Sequence, residues 1–170
     1  MKRTAAVIVS SDRAHAGTYV DESGPAVRAW LEDQGYEVAS LTVVADEPAD
    51  LNGAILGAKG IDLIITSGGT GISPRDVTPQ TLDAICDYSI PGIGELLRAG
   101  SLKYSLNAYL SRCGGWVKDG SLILALPGNP KAVVEQLGII SDLLPHAVSA
   151  VKGKCGHRRK TETTEATIEA

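Results

Sequence analysis

Residues 62–71, with the sequence DLIITSGGTG, decide the fold of this chain. The first half, 62–66, is a short apolar run of the kind that forms a buried strand. Three glycines within the next five positions predict that this strand ends in a tight, glycine-rich loop. In open α/β sheets ligands bind beyond the carboxyl ends of the strands, so this loop is also the first candidate for a binding site.

Strands and helices alternate in the sequence before this stretch. We predict strands over 4–11 and 36–44, and helices over 21–35 and 46–58. Together with the strand at 62–66, the order is strand, helix, strand, helix, strand. That alternation predicts a parallel sheet whose strands are joined by right-handed crossovers.

Three helices and one strand are predicted after the glycine-rich loop: helices over 78–86, 91–105 and 130–151, and a strand over 121–125. The last helix has candidate breaks at Gly138 and Pro145, and residues 111–117 fit either a strand or a loop. We therefore expect an α/β fold, a three-layer sandwich in which a mostly parallel sheet has helices on both faces.

Composition predicts one domain over 1–151 and a flexible C-terminal tail over 152–170, within a chain of 170 residues. The net charge of -4 argues against nucleic-acid binding. No stretch approaches the length of a membrane span and no signal peptide is visible, so a cytoplasmic location is expected. Three cysteines without a C-x-x-C pair fit a reducing compartment.

Polar residues follow the predicted strands, where a parallel sheet collects its ligand-binding groups. Ser10 and Asp12 follow the first strand, Asp46 follows the second, and Pro127–Asn129 follow the strand at 121–125. Glycine-loop amides can bind an anion, and the hydroxyls of Ser67 and Thr70 can add hydrogen bonds. The loop is neither a Walker A motif nor a dinucleotide fingerprint, so a tight turn without a ligand is the alternative.

Several charged or polar residues allow two interpretations. Asp76 and Asp46 are either magnesium ligands beside a phosphate or caps of the helices that follow them. Arg112 is either a bidentate phosphate clamp or the partner of a carboxylate on a neighbouring subunit. Asn129 is predicted to cap a helix whose N-terminus forms a second candidate anion site. Glu95 and Arg98 have the spacing of a helix-surface ion pair.

Five motifs occur in a fixed order along the chain: TSGGTG at 66–71, RDVTP at 75–79, PGIGELLR at 91–98, SR at 111–112 and LPGNPKAV at 126–133. In this order and at these intervals they resemble the molybdopterin adenylyltransferase family, whose members are Mog/MoaB-like molybdopterin-binding domains. The resemblance extends from residue 9 to about residue 134. One departure is Ala45, where relatives often have a proline before the aspartate that Asp46 matches.

The resemblance implies a trimeric enzyme that uses Mg²⁺ and ATP to adenylylate the terminal phosphate of molybdopterin, its pterin substrate. Asp76 and Asp46 match its catalytic, metal-binding aspartates. A molybdenum insertase would be the downstream partner, and a non-catalytic molybdopterin carrier or a molybdate-insertion factor is the alternative. With the residues at the strand ends, the candidate ligand-binding set is Ser10, Asp12, Ser67, Gly68, Gly69, Thr70, Gly71, Thr78, Glu95, Ser111, Arg112, Pro127, Gly128 and Asn129.

Overall fold

The structure, a computed structural model, describes residues 2–153. Within this range a central sheet contains six strands: β1 Thr4–Ser10, β2 Glu37–Val44, β3 Leu63–Ser67, β4 Tyr88–Ile90, β5 Gly114–Lys118 and β6 Ser121–Leu126. The helices are α1 Asp12–His15, α2 Ser23–Asp33, α3 Pro48–Gly57, α4 Thr78–Ile85, α5 Pro91–Ser101, α6 Pro130–Ile140 and α7 Leu144–Val151, with a 3-10 helix at Leu106–Leu110.

The strands are arranged in the order β2-β1-β3-β6-β5-β4. The first four are parallel, while β5 pairs antiparallel with β6 and β4 pairs antiparallel with β5. The predicted mostly parallel sheet is therefore confirmed. Its parallel strands β1, β3 and β6 are nearly continuous runs of buried residues, as expected for strands covered on both faces.

Two apolar cores lie on opposite faces of the sheet, so the predicted three-layer sandwich is confirmed. On one face Leu31 of α2, Leu97 of α5 and Leu137 of α6 pack against strand residues that include Ile65. The other core packs α3 and α4 against the neighbouring strand positions, with these residues among its members: Ile8, Leu51, Ile55, Ile64, Leu82 and Ile123. Alternate residues of each strand serve the two cores because side chains alternate across a strand.

Several elements differ from the sequence prediction. The predicted helix over 130–151 is two helices, and the break falls at 141–143, just before Pro145, while Gly138 stays inside α6. Residues 114–118 form a strand, joined to β6 through a tight turn in which Asp119 and Gly120 have positive φ. The short elements α1, β4 and the 3-10 helix were not predicted, because each is too short to show a periodic pattern.

Most of the predicted tail, 152–170, lies outside the described residues. Lys152 lies inside them and its Nζ pairs with the Asp62 carboxylate. No helix in the described part of the chain has both the length and the apolar character needed to cross a bilayer.

The glycine-rich loop leaves β3 through a backbone contact that tolerates no side chain. Gly68 has a φ of +106°, and a Cβ at this position would overlap the carbonyl oxygen of Ser10. Its amide also donates to the carbonyl of Leu126 at 3.0 Å. This glycine therefore joins the carboxyl ends of β1, β3 and β6 at one point.

We expect Gly68→Ala to lower the free energy of unfolding by about 3 kcal/mol, because the side chain adds both a backbone clash and an unfavourable φ. Gly53→Ala is the matched control, since Gly53 is an exposed residue of α3 whose added Cβ meets no atom within 4 Å. The control should raise the free energy by about 0.5–1 kcal/mol. Urea denaturation measures both, and equal stability of the two variants would contradict this account.

Candidate functional site

An open cavity of about 670 Å³ lies beyond the carboxyl ends of the parallel strands. The carboxylates of Asp46 and Asp76, the glycine-rich loop and the turn after β6 are among the groups that line it. Of the predicted site residues, it brings together Ser10, Asp46, Ser67, Gly68, Gly69, Thr70, Gly71, Asp76, Ser111, Pro127, Gly128 and Asn129. These residues come from five separate parts of the sequence, and the parallel topology places them around one cavity.

The glycine-rich loop is held mainly by its carbonyl groups, which leaves three of its amides free. Thr78 donates from Oγ1 to the carbonyl of Gly68 at 3.0 Å and from its amide to that of Gly69 at 3.1 Å. The Arg112 amide donates to the carbonyl of Thr70 at 2.7 Å. Within residues 2–153, the amides of Gly69, Thr70 and Gly71 donate to no acceptor. Consecutive free amides in a tight loop are a typical anion-binding arrangement.

Asp46 joins the loop after β2 to the loop after β1. Its Oδ1 accepts from Ser10 Oγ at 2.7 Å, and its Oδ2 accepts from the amide of Asp12 at 3.0 Å. The amide of Asp46 donates in return to Asp12 Oδ1 at 2.9 Å. Asp46 does not cap α3, whose N-cap residue is Glu47. Each of its carboxylate oxygens keeps a lone pair for a further donor or a cation.

Asp76 stands at the end of the glycine-rich loop. Its Oδ2 accepts from the amide of Ser73 at 2.8 Å, which closes the turn before α4. Asp76 does not cap α4, because the N-cap position is Val77 and no side chain caps that end. Among the described residues, Oδ1 of Asp76 accepts no hydrogen bond. The carboxylate thus retains an oxygen for a ligand in the cavity.

Four predicted site residues lie outside the cavity lining: Asp12, Thr78, Glu95 and Arg112. Thr78 is fully buried beneath the glycine-rich loop. Arg112 donates from Nε to the carbonyl of Gly71 at 2.7 Å and from Nη2 to the carbonyl of Asp76 at 2.6 Å, so in this structure it holds the loop. Glu95 is exposed on α5, and Arg98 contacts the carbonyl of Cys113, without an ion pair between them in the described range.

Asn129 caps α6 as predicted. Its Oδ1 accepts from the amides of Lys131 and Ala132, both at 3.0 Å, and Pro130 is the first residue of the helix. Two of the amides at this helix end are therefore satisfied by the protein itself. The side chain of Lys131 is 86% exposed and lies 3.9 Å from Glu135.

A second wall of the cavity was not predicted from the sequence. It is formed by the end of α5, the 3-10 helix and α6, and includes Ser101, Tyr104, Asn107, Glu135 and Gln136. One signal was available in the sequence. Position 136 lies on the apolar stripe of α6, three residues after Val133, where a polar side chain is unusual.

Asp12 has a lowered pKa because two groups stabilise its charged form. The amide of Asp46 donates to it, and the Arg75 guanidinium lies 2.8 Å from its Oδ2. Arg75 also contacts Glu47 at 2.8 Å. This network ties the segment between the glycine-rich loop and α4 to the loops after β1 and β2.

No group of three His, Cys, Asp or Glu side chains that could hold a metal ion by themselves occurs within residues 2–153. A cation in this cavity would therefore need further oxygen ligands from a substrate. This is the usual environment of Mg²⁺, which binds one or two carboxylates together with phosphate oxygens and water.

The chain is similar to known proteins over most of its length. Residues 6–146 match the family model described as a probable molybdopterin binding domain. A molybdopterin adenylyltransferase of Helicobacter pylori is 37% identical over 154 residues, which cover 86% of each chain. A molybdenum cofactor biosynthesis bifunctional protein of Synechococcus elongatus is 44% identical over 151 residues, which are 88% of this chain. The chain spans about half of that relative, 47% of its length.

The chain is also similar to a solved structure of a protein with a related name. The molybdopterin biosynthesis enzyme MoaB of Thermus thermophilus superimposes with a TM-score of 0.83 at 39% identity. The alignment covers 89% of this chain and 98% of that one.

The charge network predicts a specific acid sensitivity. The folded state lowers the pKa of Asp12 below its ordinary 3.8, so its contribution to stability is present above that pH and is lost as the pH falls through the folded-state pKa. Asp12→Asn should therefore flatten the fall in unfolding free energy below pH 3.8. Urea denaturation between pH 7 and pH 2 tests this. Arg75→Gln should flatten it partly, and parallel curves for all three proteins would exclude the network.

Proposed function

Because the chain belongs to the family of molybdopterin-binding domains, we propose that it is a molybdopterin adenylyltransferase of molybdenum cofactor biosynthesis. It transfers AMP from Mg-ATP to the terminal phosphate of molybdopterin and releases pyrophosphate. One observation carries this proposal. The free amides of Gly69, Thr70 and Gly71 line the same cavity as the carboxylates of Asp46 and Asp76.

The reaction is an in-line displacement at phosphorus. An oxygen of the molybdopterin phosphate forms a bond to the α-phosphorus of ATP, and the bond from that phosphorus to the bridging oxygen of pyrophosphate breaks. No protein nucleophile is needed, so the protein contributes positioning and charge stabilisation. The loop amides would hold phosphate oxygens with donors that are already oriented before the reaction.

Asp76 and Asp46 are the residues that would hold magnesium. The donor set fits, since both side chains line the cavity and Oδ1 of Asp76 accepts no bond in the described range. When bound, Mg²⁺ neutralises charge on the phosphate oxygens and on the leaving pyrophosphate. Asp46 has an additional structural part, because it holds the loops after β1 and β2 together.

Asp76→Asn should lower the turnover number by roughly 100-fold, because an amide cannot replace the charge of a metal-binding carboxylate. Binding of molybdopterin without ATP should stay nearly intact. The measurement is formation of adenylylated molybdopterin from purified protein, molybdopterin and Mg-ATP. Asp33→Asn, an exposed carboxylate at the end of α2, is the control. Equal loss of binding and turnover would exclude this role for Asp76.

The main alternative is a non-catalytic molybdopterin carrier or a molybdate-insertion factor. The relative from Synechococcus elongatus is named a bifunctional protein and extends well beyond the matched part. That supports a molybdenum insertase as the downstream partner of this chain. Tight molybdopterin binding without ATP consumption would favour the alternative.

The requirement for ATP supports a cytoplasmic location.

We also propose that the chain is a homotrimer, associated through an apolar surface at residues 102–110. The surface contains five exposed large apolar side chains: Leu102, Tyr104, Leu106, Tyr109 and Leu110. Leu106 is 76% exposed and Tyr109 is 62% exposed. A concentration of large apolar side chains within nine consecutive residues is typical of a protein–protein contact.

Leu106→Asp should shift the protein toward monomers, because a carboxylate in an apolar contact loses its hydration without gaining a partner. Val20→Asp is the matched control, since Val20 is also highly exposed, at 78%, and lies outside this surface. Light scattering coupled to gel filtration measures the mass of each variant. A trimer that persists in Leu106→Asp would contradict the proposed surface.

A further inference from the structure

Gln136 is a polar residue in an apolar position of α6. It is 3% exposed, and the helix residues nearest to it on the same stripe, Val133, Leu137 and Ile140, are fully buried. Gln136 nevertheless lines the cavity, although it lies outside all five sequence motifs. It is one of two described residues with a buried side-chain polar atom that lacks a hydrogen-bond partner.

The hydrogen bonds around Gln136 determine which of its amide atoms is free. Ser101 Oγ donates to the carbonyl of Leu97 at 2.7 Å, so its hydrogen is already used. The lone pair of Ser101 Oγ then accepts from Gln136 Nε2 at 3.3 Å, and Cys113 Sγ lies 3.8 Å from the same nitrogen. The atom without a partner is therefore Oε1, an acceptor.

A buried acceptor without a donor destabilises a folded protein, and such groups usually have a partner that binds there. A second acceptor lies on the preceding residue, Glu135, which also lines the cavity. The Glu135 side chain is 19% exposed and pairs with the largely exposed Lys131 only at 3.9 Å, so its carboxylate keeps acceptor capacity. Oε1 of Gln136 and the Glu135 carboxylate thus give this wall two acceptors for a ligand that presents N–H donors.

The two proposed substrates differ at this point. The pyrimidinone edge of a pterin presents a ring N–H beside an exocyclic amine, which are two adjacent donors. Adenine presents its amine beside ring nitrogens that are acceptors, and an acceptor opposite Oε1 would be repelled. We propose that Gln136, with Glu135 beside it, determines specificity by accepting hydrogen bonds from the N–H edge of the pterin ring. This inference rests on the proposed function and adds a residue that recognises the pterin ring.

The test compares two ligands on two proteins. The ligands are 6-hydroxymethylpterin and its 2-oxo counterpart, in which an acceptor oxygen replaces the amine. Equilibrium binding is measured without ATP or magnesium. The unaltered protein should bind the amine-bearing ligand about five- to tenfold more tightly, the usual value of one hydrogen bond between neutral groups. Gln136→Met should lose most of this discrimination and raise the Kd for molybdopterin by a similar factor.

The matched control is Thr81→Val. Thr81 is also a buried polar residue, at 5% exposure, but it is bonded to the carbonyl of Val77 and lies outside the cavity. It should keep the discrimination. If Gln136→Met does not fold, the ligand comparison on the unaltered protein decides, because equal affinity for both ligands overturns the inference.

Failure of the inference and failure of the proposed function give different results. Discrimination between the two pterins without formation of adenylylated molybdopterin would refute the transferase and support the role of Gln136. Product formed by a protein that does not discriminate, or that discriminates equally well as Gln136→Met, would overturn the inference alone.

Discussion

The close backbone contact at Gly68 is the constraint on which the rest of the site depends. The carboxyl ends of β1 and β6 approach this residue from two sides, through Ser10 and Leu126. A Cβ added at Gly128 would lie 3.2 Å from the Cα of Gly68, so the turn after β6 is packed against the same point. No larger residue fits at 68, and the three strand ends can form one cavity only because it is glycine.

Some polar groups around this contact hold the loop in place, and others are left free to bind a ligand. Carbonyl groups of the loop are used by Thr78 and Arg112, whereas three consecutive amides are left without acceptors in the described residues. The Asp12–Arg75 pair ties down the segment that follows. A loop held in this way keeps its donors oriented without a ligand, so little reorganisation is required when a phosphate binds. The proposed anion site is therefore preformed.

Much of the fold was predictable because its strands and helices are long enough to show a period. The buried strand at β3, the glycine-rich loop and the Asn129 cap are local features, and a single stretch of sequence specifies each of them. The short strand β4 escaped prediction because its pairing with β5 stabilises it, and α1 escaped because four residues show no period. The same limit applies to the site. The strand-end argument found Asp46 and the loop, but a cavity wall made from the end of α5 and the middle of α6 depends on how two helices pack.

Three features at one end of the sheet contradict the rules for local stability. Lys131 puts a positive charge at the positive end of a helix, Gln136 puts an unpaired acceptor in an apolar stripe, and the loop leaves amides unsatisfied. Each lowers the stability of the protein alone, and all three belong to one end of the sheet. An anionic, N–H-rich ligand would satisfy the amides and the acceptor at once. The free amides and the free acceptor lie on different walls of the cavity. This is the arrangement expected for a molecule with a phosphate at one end and a pterin at the other.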